Sequence, residues 1–315
     1  MGSSAVRAWR QGVTRGIVGY PALIDFMRHR GFALTVLLAL AVVPPARAQA
    51  PGPQGAEQGK YREQRWLIPT DDGSGRLMRT VVYRPMGESP RPLVVINHGA
   101  SIAGPATAPQ PRFAEASAWF VDQGYVVVVP QRRGYGETGG RQNESFGYCD
   151  NADFVGAGRE GARDIAAAVA FMRQQPFVRA EGLVVAGHSA GGWATLAYAS
   201  LNPPGVAAMI NVAGGRGGRR DNLPNDNCSP EKLVQGAGTY GRTARTPTLW
   251  LYTANDSFFD AGLSRRMADA YRSAGGSATY RLLPAFGQDG HALFVARGSV
   301  TIWSPHVKPL LDRSP

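Results

Sequence analysis

Cysteine is scarce in this chain, with Cys149 and Cys228 the whole complement among 315 residues. The few acidic residues and five histidines show no metal-ligand spacing, so no metal site is expected. No glycine-rich phosphate loop follows the first strand-like segments, and no organic cofactor is implied. Internal repeats are absent. The longest apolar run near the start, residues 31–43, is shorter than the roughly 20 residues needed to cross a bilayer. Charge is sparse as well, at 18% Asp, Glu, Lys and Arg, while 43% of residues are hydrophobic, an ordinary globular balance.

The charge present is lopsided, at +11 with a pI near 10.1. Residues 1–48 hold six arginines against Asp25 alone, so five of the eleven positive charges fall there and the rest are dispersed. Only Arg216, Arg219 and Arg220 cluster, in a Gly-rich stretch that reads as a solvated loop. A nucleic-acid partner is therefore not expected.

The segment from Met27 has the three parts of a signal peptide: Arg28-His29-Arg30, the apolar run, and Pro44-Pro45-Ala46-Arg47-Ala48. Small residues at Ala46 and Ala48 predict cleavage after Ala48 and a mature start at Gln49, with no stable membrane span afterwards. A retained anchor is the weaker alternative on length. Residues 1–26 have no part in this leader, which suits periplasm and secretion equally. In an oxidising compartment Cys149 and Cys228 are candidates for a disulfide, the alternative being two unpaired thiols.

Residues 49–59 read as a Pro/Gly/Gln linker, and residues 60–315 as one domain in which strand-like and helix-like segments alternate. Eight strands are expected. Trp66–Ile68 and Leu77–Tyr83 flank the turn Asp71-Asp72-Gly73, and Leu93–Asn97, Tyr125–Pro130, Leu183–Gly187, Val206–Val212, Thr248–Thr253 and Ala278–Leu283 follow. Helices are expected over 111–123, 158–174, 190–201 and 261–274 and within 304–312. The pattern predicts an α/β fold, a mostly parallel sheet with helices on both faces and a short lid insertion at about 213–245. In such sheets chemistry collects beyond the carboxyl ends of the strands.

At one such end stands Gly187-His188-Ser189-Ala190-Gly191, a G-x-S-x-G nucleophile elbow between an apolar strand and an Ala-rich helix. A helix-capping serine in a Gly-rich turn is the plain alternative. A serine nucleophile needs a base, and His291 follows the last strand through a flexible loop, with His306 in reserve. His188 lies inside the elbow and His98 ends an early strand. Asp256, in the turn after Thr248–Thr253, is the expected acid; its rival Asp260 fits better as the cap of the helix starting at Ala261. The backbone amides of Ala190 and Ala100 are the expected oxyanion donors.

These residues resemble the α/β-hydrolase superfamily over nearly all of 61–311, and within it dienelactone hydrolase-like and prolyl oligopeptidase-type catalytic domains. His98-Gly99, Arg133-Gly134-Tyr135-Gly136-Glu137-Thr138 and the elbow carry the likeness. Ser189 stands where dienelactone hydrolases usually have cysteine, and no β-propeller-like segment precedes the domain. The resemblance implies an enzyme cleaving a small-molecule carboxylic ester through an acyl-enzyme, and the leader implies that it is exported. A serine peptidase acting on short peptides and a non-catalytic binding protein on the same scaffold are the alternatives.

Overall fold

Runs such as Leu93–Asn97 and Val126–Pro130 have no polar face to show to water, so they belong in mid-sheet with both faces covered. In the computed structural model, which describes residues 49–101 and 103–313, they form the fully buried strands β4 (Leu93–Asn97) and β5 (Val126–Pro130). Around them lie β1 (Gly52–Gln58), β2 (Glu63–Pro69), β3 (Leu77–Tyr83), β6 (Leu183–His188), β7 (Val206–Val212), β8 (Thr248–Thr253) and β9 (Ala278–Leu283). Their order in space is β1-β2-β3-β5-β4-β6-β7-β8-β9. Pairing is antiparallel from β1 to β3 and between β3 and β5, and parallel across the rest. The leader expected in residues 1–48 lies outside the described residues.

Among the described residues nine strands replace the expected eight, because Gly52–Gln58, read from sequence as linker, pairs with β2 at the sheet edge. Its one buried residue is Gly52, which has no side chain, so backbone hydrogen bonds and not an apolar pattern hold it. The helices are α1 (Ala114–Asp122), α2 (Phe154–Met172), α3 (Ala190–Ala199), α4 (Pro230–Gly241), α5 (Ala261–Ser273) and α6 (Val300–Leu311). α1 and α6 cover one face of the sheet, and α2 to α5 cover the other. α3 is buried at every position, which accounts for its apolar surface all round.

The stretch 213–245, expected as a lid, divides in two. Its second half is α4, whose Leu233, Ala237 and Tyr240 join the core. Residues 213–229 form a loop with one short helical turn at Arg220–Asn222. Cys228 in this loop is bridged to Cys149 in the loop after β5, with Cα atoms 5.0 Å apart.

Parallel pairing sets up the site. The register Asn97↔Gly187 brings the loop after β4 beside the turn after β6, at the point where the strand order reverses.

Candidate active site

Two glycines make the turn after β6 sterically possible. A Cβ on Gly187 would lie 2.2 Å from the Gly191 carbonyl oxygen, and one on Gly191 would lie 2.2 Å from that of Asn97. Between them Ser189 is held at φ 54°, ψ −122°, a region costly for a residue with a side chain. The surroundings enforce it: Ser189 N–H donates to the Val212 carbonyl at 3.0 Å, and its own carbonyl accepts from Trp193 and Gly215. Ser189 precedes α3, yet its side chain makes no capping bond, so the hydroxyl is not taken up by the helix. Ala190, first in the helix, has an N–H with no intrahelical acceptor.

Asp256 and His291 meet across the ends of β8 and β9. Nδ1 of His291 lies 3.1 and 3.2 Å from the two carboxylate oxygens of the fully buried Asp256 side chain. Asp256 Oδ1 also accepts from the Phe258 and Phe259 amides at 2.8 and 3.0 Å, so its turn-forming bonds and its bond to the histidine coexist. With Nδ1–H facing a carboxylate, Nε2 carries the lone pair and is free to accept a proton. Among the described residues the ring's hydrogen bonds run only to Asp256, and none joins His291 to Ser189 Oγ. Asp260 caps α5 through the Leu263 amide, and His306 lies on α6.

Several supports escaped the sequence reading. Asp289 accepts from the His291 and Ser257 amides at 3.0 Å each and from the Ser257 hydroxyl, clamping the loop of His291 to the turn of Asp256. Burial opposes its charge, but these bonds outweigh burial and hold its carboxyl below the usual range. Phe258 stacks on the His291 ring at 4.0 Å. His188 Nε2–H donates to the His291 carbonyl at 2.7 Å. Burial, with His291 nearby, pushes the His188 pKa down to about 3, so this ring stays neutral.

The loop after β4 is fixed just as firmly. A Cβ on Gly99 would come 3.0 Å from Ser189 Cβ, so the backbone passes directly against the serine, while Ala100 beyond it is exposed. His98 accepts from the Arg132 amide at Nε2, and Arg132 Nη1 donates to the His98 carbonyl at 2.8 Å. Burial, then Arg132, lowers the His98 pKa to about 3. Arg132 also pairs with buried Glu144, which pairs in turn with Arg216 and accepts from the Tyr135 hydroxyl.

Loop 213–229 is the most strained segment, holding six of the ten non-glycine residues with positive φ. It is tied from outside. Asn225 N–H donates to the Ser257 carbonyl, Arg219 Nη1 to the Ser257 hydroxyl and Asn227 Nδ2 to the Phe258 carbonyl, and the disulfide anchors Cys228. Its bonds fall on the turn carrying Asp256.

Residues 111–215 match the sequence model of the prolyl oligopeptidase family. An acetyl xylan esterase from Paenibacillus sp. R4 superposes with a TM-score of 0.61 at 16% identity, covering 85% of this chain and 90% of its own. The fold is that of the α/β-hydrolases. A candidate dienelactone hydrolase from Klebsiella pneumoniae subsp. pneumoniae shares the α/β-hydrolase fold with a TM-score of 0.57 at 17% identity, covering 80% of this chain and 98% of its own. Dipeptidyl peptidase 4 from Porphyromonas gingivalis gives a TM-score of 0.59 at 16% identity over 81% of this chain, which spans only 36% of that enzyme's length. No curated protein matches by sequence.

Proposed function

We propose that this chain is an exported serine hydrolase that cleaves carboxylic esters through an acyl-enzyme. Ser189 attacks the ester carbonyl, His291 Nε2 takes the hydroxyl proton and returns it to the leaving alcohol, and Asp256 stabilises the imidazolium. The Ala190 and Ala100 amides stabilise the tetrahedral oxyanion, and water then repeats the cycle on the acyl-enzyme. No resident cofactor enters this scheme. The observation that carries the reading is the buried Asp256–His291 pair, whose loop His188 of the elbow binds at 2.7 Å, beside an uncapped, strained Ser189. Export is supported by the leader pattern and the Cys149–Cys228 bridge; among the described residues no helix is long and apolar enough to cross a membrane.

A serine peptidase is the second reading, favoured by the family match over 111–215. Fluorophosphonate labelling of wild type but not of Ser189→Ala is the expected result. Absence of labelling in folded wild type would overturn the enzyme reading in favour of a binding scaffold. Turnover of p-nitroanilides at rates matching p-nitrophenyl esters would move the assignment to a peptidase.

A further inference from the structure

We propose that Arg216 forms an anion subsite beside Ser189 that takes a carboxylate carried on the acyl group, so that the preferred substrate is a half-ester of a dicarboxylic acid. This rests on the serine-hydrolase reading above. The starting point is a charge imbalance. Two guanidiniums, Arg132 and Arg216, share one carboxylate, Glu144, and all three side chains are at least nine-tenths buried. Arg132 satisfies itself on both oxygens of Glu144 and on the His98 carbonyl. Arg216 has a single bond, from Nη2 to Glu144. Its Nε is buried without a partner. Nη1 has no partner among the described residues either, and it is not among the buried unpartnered atoms, so it is where solvent reaches this guanidinium. An unmatched positive charge in the interior is costly, and an anionic ligand offsets that cost.

Position makes the ligand part of a substrate. Arg216 follows Gly215, whose N–H donates to the Ser189 carbonyl at 3.2 Å. On the other side the cluster grips His98, and Gly99 next to it lies against Ser189. Through Gly215 on one side and through His98 and Gly99 on the other, the cluster is tied to the backbone around Ser189. His98 does not add to it, since burial keeps that ring neutral. The opposing charge nearby is Glu144 itself, held ionised by the two guanidiniums against the effect of burial, and Asp164 is matched by Arg133. A carboxylate at Nη1 would complete a two-by-two set of charges, in the planar geometry guanidinium favours.

The test compares mono-p-nitrophenyl glutarate with p-nitrophenyl valerate, which have equal acyl length and differ in one terminal carboxylate. Wild type is expected to favour the charged ester in kcat/KM by about tenfold or more, the size of a lost charged hydrogen bond. Arg216→Gln should bring the ratio to about one or below, with Arg216→Lys intermediate. A wild-type ratio at or below one, or a ratio unchanged in Arg216→Gln, overturns the subsite. Should Arg216→Gln fail to fold, wild type alone decides: glutarate inhibits valerate hydrolysis competitively at concentrations where valeramide does not, and equal effects of the two overturn the proposal. Fluorophosphonate labelling keeps the two readings apart. A labelled enzyme that prefers valerate loses only the subsite, whereas no labelling and no turnover of either ester removes the hydrolase reading and the subsite with it.

Discussion

His188 occupies the variable position of the elbow, and its bond to the His291 carbonyl ties the elbow to the loop after β9. Replacing it with Phe leaves that carbonyl unsatisfied, at a cost of about 1–3 kcal/mol. If about half of that reaches the barrier, kcat falls about two- to tenfold with KM little changed. Steady-state kinetics on p-nitrophenyl acetate should show this fall in His188→Phe and partial recovery in His188→Gln, whose amide can still donate. Equal kcat in both variants and wild type would mean that His291 is placed without His188. Ser189, Asp256 and His291 could be nominated from the sequence because elbow glycines and chain order are local or ordinal signals. Asp289, Phe258 and Arg216 could not, since they act through Ser257, His291 and Glu144, partners 32 to 72 residues away that no spacing rule links to them.

At the scale of elements, apolar runs were the dependable signal for the buried strands: β4, β7 and β8 begin and end where those runs do, and β3 and β9 keep their expected bounds although Arg79, Thr279 and Arg281 interrupt them. β1 had no such run, and α4 was hidden by its glycines at 236, 238 and 241. Two of these are there for close approach. A Cβ on Gly241 would lie 2.2 Å from the Tyr271 carbonyl oxygen in α5, and one on Gly236 would lie 2.9 Å from the Trp193 ring. Gly238 has only ordinary contacts, with its nearest neighbour at 3.5 Å. Gly238→Ala should therefore stabilise by up to about 1 kcal/mol through helix propensity, whereas in Gly241→Ala the clash outweighs that gain and destabilises by about 2 kcal/mol or more. Urea midpoints of the two variants decide; a stable Gly241→Ala would show that α4 and α5 can separate without loss.

For the molecule as a whole, the neutral buried histidines make stability depend on pH. His98 and His188 have folded pKa values of about 3 against 6.5 when unfolded, so below 6.5 the unfolded chain binds more protons and stability falls as pH falls. Between pH 7 and pH 5 each removes about 2 kcal/mol. Asp164 acts in the opposite sense over the same window: burial, opposed by Arg133, raises its pKa to about 6, so on acidification it adds about 1 kcal/mol. The net loss expected is about 3 kcal/mol, read as a lower urea midpoint at pH 5 than at pH 7 and a smaller drop in His188→Gln. Equal midpoints would mean that the two rings are protonated in the native state. The Cys149–Cys228 bridge spans 79 residues and encloses β6, the elbow, α3 and β7 within one covalent ring. With no third cysteine in the chain, a molecule that oxidises before this unit closes has no wrong partner within itself. Its errors must join one chain to another, so covalent dimers on a non-reducing gel report how often the serine's own strand-helix-strand unit failed to assemble.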